Sequence, residues 1–289
     1  MSVRISSNQI LDAGVQSMDT SLADAVKWQT KINTGKNYAK ASDNAYAVSR
    51  GVRLEFDIAK LDMYKSNQNY VASSMANAGN QFDSLINEMN NIKQLMVQSQ
   101  NGAYNASNFN AIKIQVEQYL ATMKSQTTAL DGTGKPIYPD VINQVEIEPN
   151  VHVNSGIKFS DAFGVSSIGV ADPSKIDVMQ KIADFVTYLD QRSKGSPLTN
   201  SAQTVSNGLT AAFDQLTTEQ ERSGSIAAQV DNSKSAITAL GTQLAATSSA
   251  LLDTDMAAAT AAYTRSQTLL NAAQAMFAKL QQVNLFSKL

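Results

Sequence analysis

The chain has 289 residues, 43% of them hydrophobic, a net charge of −2 and no cysteine. That length suits one large or two ordinary domains with a buried core. The balanced charge, with no Lys/Arg cluster, removes the phosphate neutralisation that drives nucleic-acid binding, and the lack of cysteine excludes disulfides, thiolate metal sites and cysteine nucleophiles.

The opening residues, Met1 to Asn8, have no apolar core of the kind a cleaved secretory signal needs. No window approaches 18 uninterrupted apolar residues, so no transmembrane helix is expected. The expectation is a cytosolic protein or one exported without a cleaved signal. Leu11, Val15, Met18, Leu22, Ala25, Gln29 and Ile32 then step by alternate fours and threes, which predicts a helix with one buried stripe. Asn33-Thr34-Gly35-Lys36 reads as its end, with Gly35 as the left-handed cap. Ser42-Asp43-Asn44 reads as the N-cap region of the next helix.

From about residue 43 to 100 the pattern is helical, sharpest at Met75, Ala78, Phe82, Leu85, Met89, Ile92 and Met96. A turn at Asn101-Gly102 leads to a further helix with Ile112, Val116, Tyr119 and Met123 on one face. Between Asp131 and Pro173, glycines and the alternating Val141, Val145, Ile147, Val151 and Val153 predict short strands and turns. Asp172-Pro173 is expected to reopen helix, carrying Val178, Ile182, Phe185 and Leu189, until Gly195-Ser196-Pro197.

The longest seam follows: Val205, Leu209, Ala212, Leu216, Glu219, Ser223, Ile226, Val230, Ser233, Ile237, Leu240, Leu244, Thr247 and Leu251. This is coiled-coil spacing, with enough polar members to predict a seam shared among several helices. The apolar row resumes one place late at Leu252 and Met256, with Asp253 and Asp255 at the junction, which marks a joint. Beyond it, Met256, Tyr263, Leu270 and Phe277 repeat every seven residues in a segment to Leu289 that has three basic residues and no acidic one. Chain ends are ordinarily the least organised part of a domain. Two apolar stripes there point to assembly.

Catalysis has little to build on. His152 is the only histidine and sits in an alternating strand-like run, where a solvent-facing or hydrogen-bonded role is expected. Asp253 and Asp255 are two apart, so they fall on different helix faces and do not form an acid/base pair. Gly132-x-Gly134-Lys135 is followed by Pro136 where a phosphate loop needs Ser or Thr. Trp28, the only tryptophan, fits either an interface or the core. The methionines fall largely on the seams, as adaptable packing does. No catalytic residue, cofactor, metal or small-molecule substrate is expected.

Arg4-Ile5-Ser6, Gln29-Thr30-Lys31-Ile32-Asn33-Thr34-Gly35-Lys36 and Ala41-Ser42-Asp43-Asn44-Ala45 resemble the N-terminal signature of the bacterial flagellin superfamily. Leu251-Leu252-Asp253-Thr254-Asp255-Met256, Tyr263, Gln267, Leu270, Ala272 and Asn284-Leu285-Phe286 resemble its C-terminal signature. The Thr-Gly-Lys form, Tyr263-x-x-x-Gln267 and the Leu-Phe near the end are more similar to the hook-filament junction branch, of the hook-associated protein 3 type, than to filament flagellins. Asn44-Ala45 departs from the Asp-Pro common at that point.

The resemblance implies a mainly α fold: a long antiparallel helical rod with paired terminal helices and a small β-containing insert. Residues 1–42 would be an N-terminal axial-core helix and connector, 43–130 and 173–252 the two halves of the rod, 131–172 the insert, and 253–289 the C-terminal axial-core helix. The implied function is a structural subunit of the flagellum, outside the cell, packing through its termini and exported unfolded by the flagellar type III apparatus. Its implied partners are copies of itself in a ring or tube, hook-associated protein 1 on the hook side, flagellin on the filament side, and an export chaperone at the C-terminal helix. Subunit packing would fall to Leu11, Val15, Met18, Leu22, Ile32, Met256, Tyr263, Leu270, Phe277 and Leu280, and the joints to Gly35, Asp43, Asp253 and Asp255. Filament flagellin is the main alternative. A secreted membrane-active translocator is a further one, although the polar run from Thr264 to Thr268 suits a bilayer poorly.

Overall fold

A computed structural model describes the backbone of residues 7–286 and the side chains of residue 9 and residues 12–279. The chain divides into two compact units, one from residues 1–60 and 240–289, the other from residues 61–239. The described helices are α1 (Ser7–Thr34), α2 (Ala45–Ser99), α3 (Ala106–Thr127), α4 (Phe159–Phe163), α5 (Val178–Lys194), α6 (Ala202–Leu252) and α7 (Met256–Phe286), with strands β1 (Gln144–Glu148) and β2 (Val151–Asn154). Helices α2 and α6 supply residues to both units.

In the unit of residues 61–239, α2 and α6 run antiparallel, since Gln68 meets Ser233 and Met75 meets Ser223 while Lys93 lies over the Phe213 ring. The α2 stripe from Met75 to Met96 is at most 2% exposed throughout. Each large member contributes roughly 2 kcal/mol by leaving water. Helix α3 starts in a reciprocal capping box between Asn105 and Asn108 and turns Ile112, Val116 and Met123 inward. It packs on α5, where Lys113 and Asp190 pair at 3.0 Å and the Arg192 guanidinium covers Phe109. Val178, Ile182, Phe185 and Leu189 are fully buried on α5, which ends at Gly195 in the left-handed conformation.

The α6 seam is buried at Val205, Leu209, Ala212, Leu216, Glu219, Ser223, Val230, Ser233 and Ile237. Its polar members have partners within the chain. The Ser223 hydroxyl donates to the Met75 carbonyl and Ser233 to that of Ile147, at 3.0 and 3.1 Å, while Glu219 accepts from Lys175 at 3.1 Å. A buried acceptor left unmade costs more than a neutral hydrogen bond gains, so these pairings fix the facing positions.

The expected β content lies where the sequence placed it, and among the described residues its two strands form one hairpin, with isolated bridges at Leu130–Pro136 and Val165–Ala171. Strands β1 and β2 pair antiparallel through a bulge between Glu146 and Glu148, with Asn150 at a φ of 65° in the turn. Val141 stays outside them, 78% exposed. Ile147 is buried, and its carbonyl also accepts from the Gln68 amide at 2.9 Å. The buried Tyr138 ring lies tilted to Phe82 and edge-on to Phe163, with both centroids at 5.1 Å; burial pushes its phenol pKa upward.

One helix start requires correction. Asp172 does not cap a helix; its carboxylate closes a local turn by accepting from the Ser174 backbone and hydroxyl. Helix α5 begins at Val178, capped by Asp177, which accepts from the Gln180 N–H at 2.9 Å. Both aspartates offer the same capping chemistry, and the one adjoining the first inward residue, Val178, is used.

Candidate assembly site

In the unit of residues 1–60 and 240–289, α1 and α7 lie antiparallel with Cα atoms within 8 Å of each other. A β-carbon placed on Gly14 would sit 3.7 Å from Phe277 Cδ2, and at the other end the Gly35 carbonyl accepts from the Thr254 N–H at 2.8 Å. The inward stripe of α1 is Gly14, Met18, Ser21, Ala25, Trp28 and Ile32, all partly or fully buried. On α7 the least exposed positions are Ala259 and Ser266, flanked by the half-buried Tyr263, Leu270, Ala273 and Phe277. Small residues at heptad spacing on both helices allow the close approach, because interaxial distance is set by the side chains at the contact.

The sequence stripe is therefore split. Met18, Ile32, Tyr263, Leu270 and Phe277 turn inward within the chain, whereas Val15 (42% exposed), Leu22 (51%) and Met256 (47%) face solvent. Val26, Leu269 and Met276 are also exposed. Leu11 and Leu280 lie outside the residues whose side chains are described. Of the inward α1 stripe, Gly14 and Ser21 escaped a reading based on large apolar residues. Its signal was the heptad of Gly14, Ser21, Trp28 and Gly35, matched by Ala259, Ser266 and Ala273.

The four residues expected at the joints, Gly35, Asp43, Asp253 and Asp255, lie in the connections that follow α1 and precede α2 and α7. Gly35, at a φ of 66°, caps α1 by donating to the Lys31 carbonyl at 2.8 Å. Lys36 and Asp253 form a bridge: the Asn37 N–H donates to the Leu252 carbonyl at 2.7 Å, and the Lys36 ammonium meets the Asp253 carboxylate at 2.7 Å. Hydrogen bonds from Lys36 and Ser249 hold the Asp253 carboxyl below its ordinary pKa. Asp255 starts α7 by accepting from the N–H groups of Ala257 and Ala258 at 2.9 and 3.0 Å. Asp43 closes the preceding turn by accepting from Ala39 and Lys40, and Asn44 caps α2 through the Ala47 N–H. The slipped register at Leu251 to Met256 is thus a break between two helices. Leu252 then packs on Gly51, where an added β-carbon would come within 2.6 Å of it.

The other residues singled out have local roles. Trp28 is half-buried under the Lys31 ammonium, 4.9 Å from the ring. Gln267 donates to the Tyr263 hydroxyl at 2.7 Å, one turn apart on α7. His152 is exposed on β2, opposite Glu146. Among the described residues no group of three or more His, Cys, Asp or Glu could hold a metal ion, and no helix is long and apolar enough to cross a membrane. The arrangement can offer apolar and charged helix faces to another protein.

No curated protein sequence matches the chain. Among solved structures it is similar to a protein described as a flagellar hook-associated protein from Vibrio parahaemolyticus, with a TM-score of 0.63 and 13% identity over 72% of this chain and 99% of that one. It is also similar to FlgL of Xanthomonas campestris, with a TM-score of 0.57 and 15% identity over 68% and 99%. A third is the flagellar junction protein FlgL of Legionella pneumophila, with a TM-score of 0.54 and 8% identity over 71% and 100%. At such identities the likeness is one of fold. The models of the bacterial flagellin N-terminal and C-terminal helical regions match residues 5–134 and 206–289, well over half of the sequence between them. With its two ends paired as α1 and α7 and both ends matching these models, the chain belongs to the bacterial flagellin family.

Proposed function

We propose that the chain is the structural subunit joining the flagellar hook to the filament, acting without catalysis by packing its terminal unit against neighbouring subunits. The observation that carries this reading is the α1–α7 pair of a flagellin-family chain, closed by its own small residues yet presenting Val15, Leu22, Val26, Leu269 and Met276 to solvent. Leaving large apolar side chains wet forfeits roughly 25 cal/mol per Å², and neighbouring copies would recover it. The junction branch is supported by Lys36, which in this chain clamps Asp253, and by the solved flagellar folds, nearly the whole of which aligns with 72% and 68% of this chain.

On this reading the chain works outside the cell after export without a cleaved signal. It contacts copies of itself, hook-associated protein 1 below and flagellin above, and a chaperone shields the C-terminal helix beforehand. Deleting the gene in the source bacterium tests it. Hooks without filaments and intact flagellin in the medium are expected. Normal filaments in the deletion strain refute the proposal, as does a medium and cell extract lacking any other filament subunit, which would make the chain the flagellin.

A further inference from the structure

We propose that the cleft between α2 and the loop preceding the hairpin is a binding site for a neutral saccharide. It lies wholly in the unit of residues 61–239, and it stands or falls independently of the assembly reading above. One wall is a single face of α2, on which Tyr70, Ser73, Ser74 and Asn77 recur at helical spacing. The other runs from the turn of Asp131 and Lys135 past Pro136 and Pro139 to Asn143 and Ser155 at the base of the hairpin. The cavity between them measures about 470 Å³, within the roughly 300–1,000 Å³ of small-molecule sites.

The outer wall is held in place by its own bonds. One carboxylate oxygen of Asp131 accepts from the Thr133 N–H, the Thr133 hydroxyl and the Lys135 N–H at 2.8, 2.7 and 2.9 Å, which closes the turn. The Ile137 N–H donates to the Ala129 carbonyl, and the buried Tyr138 donates to that of Ala78 on α2. At the hairpin base the Ser155 N–H donates to the Asn143 carbonyl at 2.8 Å. A ligand entering a cleft already formed loses little to ordering its walls. The side chains of Ser73, Ser74, Asn77 and Asn143, by contrast, hydrogen-bond to no other described residue. Two hydroxyls and two amides thus offer both donors and acceptors to one space.

Charge and polarity decide the ligand class. Asp131 and Lys135 are the charged residues of the lining, one of each sign, so the cleft draws neither anions nor cations. A wholly apolar ligand would strip water from the four polar side chains and leave them unpaired. A pyranose meets both requirements. Its hydroxyls match the serines and amides, and its C–H face matches the Tyr70 ring, which is 49% exposed. The Lys135 ammonium lies over that ring at 5.8 Å from its centre, on a flexible stem that lets it swing to a sugar hydroxyl.

The isotope-labelled whole chain is titrated with maltose, lactose and N,N′-diacetylchitobiose, and with glucuronate and glucosamine as charged probes, while backbone amides are followed by NMR. At least one neutral disaccharide should shift the amides of Ser73, Asn77, Thr133 and Asn143 saturably, with half-saturation on the order of 1 mM, as suits a ligand making few contacts. Tyr70→Ala and Asn77→Ala should each raise that concentration about fivefold, the scale of one aromatic contact or one hydrogen bond. Tyr70→Phe, which keeps the ring, should bind like the parent, as should Tyr46→Ala, which removes an exposed ring from the other unit. The proposal is overturned if none of the three neutral sugars shifts these amides, if Tyr70→Ala binds as tightly as Tyr70→Phe, or if either charged sugar binds more tightly than the neutral ones.

Discussion

Replacing Gly14 by Ala should stabilise the terminal pair. Gly14 lies in the body of α1, where glycine costs about 0.8–1.0 kcal/mol relative to alanine because more backbone freedom is lost. The new methyl would sit 3.7 Å from Phe277 Cδ2, an ordinary van der Waals contact with no displacement required. Each such atom pair adds only about 0.1–0.2 kcal/mol, so the backbone effect dominates and the net gain is about 1 kcal/mol. That corresponds to roughly a fivefold drop in local opening. Hydrogen exchange followed by mass spectrometry on α1 peptides measures it directly. Gly79→Ala is the control: its β-carbon meets nothing within 4 Å and it lies in the unit of residues 61–239, so α1 exchange should not change. Faster α1 exchange in Gly14→Ala would show that the helices lack the room assigned to them. Unchanged exchange would show that α1 is not held as a helix against α7 in the free chain.

Asp255→Ala should cost about 1 kcal/mol by removing the cap of α7, seen as faster exchange confined to the first turn after Met256. Phe82→Ala should cost about 3–5 kcal/mol, since Phe82 is fully buried against Tyr138; a urea midpoint within error of the parent would contradict the core assignment. The Asp253 carboxyl is held below its unfolded pKa, so its contribution to the joint is present above the ordinary carboxylate range and fades as pH falls through the lowered folded value. In an NMR titration the Asn37 and Thr254 amides should hold their shifts at neutral pH and move only in acid, and a transition near neutrality would exclude Asp253 as its origin.

Sequence periodicity alone located the long helices of the unit of residues 61–239 and the β hairpin. Met75 to Met96 and Val178 to Leu189 are large apolar residues at helical spacing, and burial of such residues is decided by their own transfer free energy wherever a partner helix exists. Gly35 and Asp255 likewise carry local instructions, a left-handed cap and a helix start, that need no tertiary context. Where Asp172 and Asp177 offered the same local instruction, only packing chose between them. The terminal pair shows the same limit more plainly. Periodicity alone placed Val15 and Leu22 inward, but the antiparallel partner brings Ala259 and Ser266 against α1, and only small residues such as Gly14, Ser21 and Ala25 permit that approach. The tertiary structure thus left Val15, Leu22 and Val26 outward while Met18, Trp28 and Ile32 stay inward, because the face of an amphipathic helix that is buried depends on which partner comes closest and not on hydrophobicity alone.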